Sequence, residues 1–144
     1  MATQATHANL NYECSDAEWQ ARLDLAACYR IFDQLGWGES IYNHISVKVP
    51  GEEGNFLINP FGLMYDEVTA SNLVKIDVDG NNVGGSPYMV NKAGFTQHAY
   101  FHKVLSSHNV IHHCPVEAFP PSLSDVRVSQ VYQCYYICTA RKAA

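Results

Sequence analysis

Apolar residues recur at two different periods along the first two-thirds of the chain. Trp19, Leu23, Ala26, Ala27 and Ile31 repeat at helical spacing. Ser15-Asp16-Ala17-Glu18 precedes them as a capping box, in which the Ser15 hydroxyl and the Glu18 carboxylate satisfy free N–H groups of the first turn. Gly36 supplies the C-terminal stop. The period then drops to two. Ile45, Val47 and Val49 alternate with Ser46 and Lys48, which predicts a half-buried strand. Residues 50–54 turn the chain and residues 55–59 return it, so the pair reads as a hairpin. Residues 65–72 predict a short helix or loop with Thr69 or Ser71 available to cap it. Residues 73–78 predict a third strand, ended by Asp79-Gly80. Helical spacing resumes over residues 92–106, and residues 109–111 begin a fourth strand.

After Cys114 the texture changes. Pro115, Pro120 and Pro121 interrupt any regular element, and the strand-prone stretch around Tyr132, Tyr135 and Tyr136 has no clear polar face. The pattern predicts a loose arm over residues 1–14, a mixed domain over 15–114 and a divergent tail over 115–144.

Composition narrows the class. In 144 residues, 47% are hydrophobic and 16% charged, the balance of a packed domain rather than a disordered chain. A formal charge of −5 with no Lys/Arg run argues against nucleic acid as a partner. Residues 1–10 are polar, unlike a signal peptide, and no later segment reaches the length of a transmembrane helix. Five cysteines without framework spacing predict reduced thiols and a cytoplasmic setting.

His112, His113 and Cys114 gather imidazole and thiol donors suited to Zn²⁺ or a similar divalent ion. On a strand His112 and Cys114 share one face and His113 points away. Ordinary strand-end residues are the competing reading. His98 and His102, four apart on a helix, are candidates for a third ligand or a packed pair. Asn43, at a strand start, and Gly62, in a turn, are placed where backbone N–H groups can cradle an anion, with Lys92 beside them. Each has a bland counterpart, as turn residues and a solvated lysine. No nucleophile elbow, dinucleotide fingerprint or P-loop is present, and no residue is assigned a catalytic role.

Read together, Leu25-Ala26-Ala27-Cys28-Tyr29-Arg30, Gly36-Trp37, residues 41–47, residues 56–63, residues 69–75 and Val90-Asn91-Lys92-Ala93-Gly94-Phe95 leading to His98 resemble the class II aldolase/adducin N-terminal domain family, and its adducin-like branch more than the sugar-phosphate aldolases. The resemblance implies a three-layer α/β/α sandwich on a mostly antiparallel sheet, here incomplete, and a homo-oligomer. It implies metal-dependent carbon–carbon lyase chemistry on small hydroxycarbonyl compounds, with a Zn²⁺-type ion polarising the carbonyl. Asn43 and Gly62 match positions that hold a substrate phosphate in such enzymes. The family's Ser-Ser-Glu run aligns with Lys92, Ala93 and Gly94, so the acid/base carboxylate is missing. Its His-x-His metal pair aligns with His112 and Cys114, and its distal third histidine has no counterpart.

Two further expectations follow from those departures. One is a non-catalytic adducin-type module that binds protein, including cytoskeletal partners. The other is a truncated product without function, its tail arising from a shifted reading frame, a misplaced intron boundary or an alternative exon.

Overall fold

The computed structural model describes residues 14–38, 40–104, 110–114 and 134–138, the last two segments by backbone alone. Helix α1 (Asp16–Gln34) is followed by strands β1 (His44–Lys48), β2 (Asn55–Ile58) and β3 (Val74–Asp77), helix α2 (Lys92–Val104), and strands β4 (Val110–Cys114) and β5 (Cys134–Cys138). The five strands form one sheet in the order β3-β2-β1-β4-β5, antiparallel at every step.

Helix α1 begins and ends where its sequence dictates. The Ser15 hydroxyl accepts the Glu18 N–H at 3.1 Å. At the other end Gly36 takes a φ of 70°. Its N–H donates to the Asp33 carbonyl while the Trp37 N–H reaches back to Phe32, both at 2.9 Å. The Phe32 and Trp37 rings, 5.1 Å apart, supply the apolar contact that accompanies this stop.

The buried face of α1 differs from the expected stripe. Leu23 and Ile31 are 43% and 57% exposed, and the helix instead buries Glu18, Ala21, Arg22, Leu25 and Tyr29. The Glu18 carboxylate, expected to close the capping box, turns inward. It accepts the Arg22 guanidinium at 2.9 Å and the Lys75 ammonium at 2.8 Å. Arg22 also donates to the carbonyls of Leu73 (2.8 Å) and Ala70 (3.1 Å), and Lys75 reaches Glu52 at 3.1 Å. Burial opposes the charge on Lys75, but the two carboxylates outweigh it and hold its pKa above the ordinary lysine value. Buried charge is tolerated here because each ion is met by an opposite charge or by carbonyls.

The sheet is covered on both faces. On the α1 side Leu25 and Tyr29 pack with Ile45, Val49, Leu57, Tyr65, Val68 and Leu73. On the α2 side the cluster is smaller: Phe56, Ile58, Val74 and Ile76 meet Ala99 and the half-buried Phe95. Strand β1 is therefore not half-exposed as the alternation suggested. Ile45 enters the α1 cluster, and Ser46, its polar neighbour, is fully buried beneath α2.

Residues 65–72 resolve into a 3-10 turn (Tyr65–Glu67) and a polar turn in which the Thr69 hydroxyl accepts the Asn72 N–H at 3.3 Å. Asp77 closes β3 by accepting the N–H groups of Asp79 and Asn81, both at 2.9 Å. Its hydrogen bonds, with Asn81 foremost, hold its carboxyl below the usual carboxylate range. Gly80, at φ 85°, has the Phe95 ring packed against its open side, so a side chain there would collide with the helix.

Candidate functional site

Three elements meet at one end of the sheet. Asn43 stands just before β1, the turn holding Pro60, Phe61 and Gly62 leaves β2 beside it, and α2 starts at Lys92. The turn is fastened to the approach to α2 by the Phe61 N–H donating to the Met89 carbonyl at 2.8 Å. Tyr29 sets the turn from below. Its hydroxyl accepts the Ile45 N–H at 2.8 Å and lies 2.9 Å from Asn59 Oδ1 and 2.6 Å from the Ile45 carbonyl as acceptors for its proton. A fully buried tyrosine oxygen so occupied fixes the start of β1 against the end of β2.

The three residues expected to hold an anion are thus carried to the same end of the sheet. Asn43 is 1% exposed; its amide nitrogen lies 3.4 Å from the Trp37 carbonyl, and its Oδ1 makes no hydrogen bond among the described residues. Gly62, at φ 92°, and Lys92 are exposed. The start of α2 is partly satisfied by its own chain, since Asn91 Oδ1 accepts the Ala93 N–H at 3.1 Å. The cationic donor at this end is therefore Lys92 rather than the helix terminus alone.

Position 94 is closely packed. Gly94 is buried against the His44 imidazole, and a Cβ built on it would overlap that ring, lying 2.7 Å from Cε1 and 2.8 Å from Cδ2. The β1 imidazole thus leaves no room for a side chain at position 94. Sequence reasoning missed His44. Two signals were available: a histidine opening a strand, and a glycine inside a helical pattern, which marks close approach of another group.

Below that contact, more imidazoles follow. The His44 and His98 rings lie 5.1 Å apart. Ser46 Oγ sits 2.5 Å from His98 Nδ1 and 2.8 Å from His102 Nε2, and the His102 ring stacks near Phe56 at 4.8 Å. Burial, with Lys48 nearby, lowers the His102 pKa to about 3, so its ring is neutral at ordinary pH.

The expected metal ligands His112 and Cys114 lie on β4, whose side chains fall outside the described residues. By backbone register, β4 pairs position 113 with His44 and position 112 with Ile45. His98 and His102 lie on the α2 face, engaged with Ser46. Among the described residues no group of three His, Cys, Asp or Glu side chains is placed to hold a metal ion. Cys14, buried, and Cys28, half-buried, are free thiols, and no helix among the described residues is long and apolar enough to cross a membrane.

The family model for the Class II Aldolase and Adducin N-terminal domain matches residues 23–122, past Cys114. A class 2 aldolase-type protein of Caulobacter vibrioides is 49% identical over 72% of this chain and 41% of its own length. Rat alpha-adducin is 52% identical over 54% of this chain and 11% of its own length. Among solved structures, an aldolase II superfamily protein from Pseudomonas syringae superposes with a TM-score of 0.68 at 42% identity, covering 70% of this chain and 41% of that one. An L-fuculose 1-phosphate aldolase from Glaciozyma antarctica gives 0.63 at 29% identity, covering 77% and 44%. The chain spans about two-fifths of the length of the curated bacterial relatives it matches. Sheet, flanking helices and matched sequence agree: the chain belongs to the class II aldolase and adducin N-terminal domain family.

Proposed function

We propose that this chain carries the anion-holding end of a class II aldolase-type domain, and that it binds a small anionic hydroxycarbonyl compound without cleaving it at lyase rates. One observation supports the second clause above all others. The His44 ring packs against Gly94 so closely that no side chain fits at the position the resemblance matches to the acid/base carboxylate. Loss of a positioned acid/base costs roughly 10²–10⁴-fold in rate. Supporting the first clause, the buried side-chain amide of Asn43, whose NH2 makes only a 3.4 Å contact to the Trp37 carbonyl among the described residues and keeps a second N–H to donate, shares an end of the sheet with Gly62 and Lys92. The sugar-phosphate aldolase from Glaciozyma antarctica makes a phosphorylated hydroxyketone the first ligand to try.

Calorimetric titration with dihydroxyacetone phosphate, and with inorganic phosphate as control, tests the binding. Saturable binding that Lys92→Ala or Asn43→Ala weakens about tenfold is expected, the scale of one charge-assisted hydrogen bond. Absence of binding by the wild-type protein would overturn the proposal.

A second reading, a protein-binding module of adducin type, is favoured by a separate feature. Phe61, Met64, Tyr88 and Met89 expose 44%, 45%, 42% and 77% of their surface on the two loops joined by the Phe61–Met89 hydrogen bond. Clustered apolar exposure of this kind marks interaction surfaces. In that reading the partner is a protein, a cytoskeletal one or a second copy.

A further inference from the structure

Antiparallel pairing brings together two cysteines that the sequence keeps apart. Strand β4 ends at Cys114 and strand β5 begins at Cys134, and in the ladder between them position 114 stands directly opposite position 134. Four further pairs, from His113 with Tyr135 to Val110 with Cys138, hold the same register. On its other side β4 pairs position 113 with His44, so the 114–134 pair lies at the Asn43 end of the sheet, one position past that contact.

Backbone spacing decides what such a pair can do. Residues directly opposite each other in an antiparallel ladder have Cα atoms about 4.5 or 5.5 Å apart, according to which of the two kinds of pair they form. A disulfide spans Cα separations of about 4.4–6.8 Å, so either kind is within its reach. The other cysteines are placed differently. Cys138 stands opposite Val110, about 13 Å along β5 from the 114–134 pair and well beyond the roughly 7 Å limit for a bridge. Cys14 and Cys28 belong to the approach to α1 and to α1 itself, and both are free thiols. The cysteine spacing in the sequence predicted reduced thiols throughout; the register singles out one pair.

We propose that Cys114 and Cys134 are a redox pair that closes to a cross-strand disulfide on meeting a low-molecular-weight disulfide of the glutathione type. One of the two, as its thiolate, attacks the small disulfide; a mixed disulfide forms and one small thiolate leaves. The thiolate of the other then attacks the protein sulfur of the mixed disulfide and expels the second small thiolate. The protein loses two electrons and two protons, and the small disulfide takes up both as two thiols. Excess small thiol reverses both steps. In the oxidised chain β5 is fastened covalently to β4 at the Asn43 end of the sheet.

The full chain, purified reduced and dilute, is exposed to oxidised glutathione, its remaining thiols are blocked by alkylation, and its tryptic peptides are mapped by mass spectrometry. The expected product is one intramolecular disulfide joining Cys114 to Cys134. Cys138→Ser should form it as fast as the wild type. Cys134→Ser should form any internal bond from Cys114 to Cys138 at least about tenfold more slowly, because the native ladder holds those positions apart. Unfolded in urea, where closing either loop costs nearly the same, the two variants should oxidise at similar rates. Should a variant fail to fold, fragmentation of the linked wild-type peptides still distinguishes Cys134 from Cys138. Glutathione adducts without an internal crosslink, a crosslink from Cys114 to another cysteine, or equal native rates for the two variants would overturn the pair.

Discussion

The two faces of the sheet are built on different principles. Beneath α1 the packing is apolar and its buried ions are mutually paired: Leu25, Tyr29, Ile45 and Leu57 fill the interior, and Arg22, Glu18 and Lys75 answer one another. Beneath α2 the apolar cluster is smaller, and imidazoles of His44, His98 and His102 take up much of the contact. On the first face Arg22, lowered to about 10 by burial, and Lys75, held above the ordinary lysine value by its carboxylate partners, both keep their charge at neutral pH, while burial raises the Glu18 carboxyl above its ordinary range. On the second, burial lowers the His102 pKa to about 3 and leaves its ring neutral at ordinary pH. The α1 face positions the turn at Asn59 through Tyr29, and the α2 face carries Lys92.

Breaking the α1 face should cost most. Arg22→Ala leaves Glu18 Oε1 and the carbonyls of Ala70 and Leu73 without their buried donor, and urea denaturation should show a loss of about 3 kcal/mol. Leu25→Ala opens a cavity in the same cluster and should cost about 3 kcal/mol by the same measurement.

On the other face, Gly94→Ala forces a methyl group into the His44 ring and should cost about 2 kcal/mol. The sharper form is a double-mutant cycle. Combined with His44→Ala, the Gly94→Ala penalty should largely vanish, whereas additive penalties would show that the two residues are not competing for one space. The smallest effect is expected at the rim of α1. Ser15→Ala removes the cap on the Glu18 N–H and should cost about 1 kcal/mol.

Much of this architecture was legible in the residues. The hairpin at residues 50–54, the stop at Gly36 and the turn after Asp77 depend on neighbours within a few positions, and local pattern carries that information. The family resemblance supplied the layered sandwich. What the pattern hid was set by distant partners. Glu18 read as a capping residue because its true partner, Lys75, is 57 positions away. Ser46 read as the solvent side of an alternating strand because the helix covering it comes 52 positions later. Trp19, Leu23 and Ile31 suggested a stripe of their own, and the helix rolled to bury Glu18 and Arg22, whose ions only the folded sheet satisfies. Positions 112 and 113 pair with Ile45 and His44, while the side chains of His112 and Cys114 lie outside the described residues.

The proposed binding of a hydroxycarbonyl anion without lyase turnover is tested most directly by incubating the purified wild-type chain with a phosphorylated aldol substrate and added Zn²⁺, and measuring aldehyde release. No release above the protein-free Zn²⁺ control is expected. Saturable, Zn²⁺-dependent cleavage by the wild-type chain would contradict it.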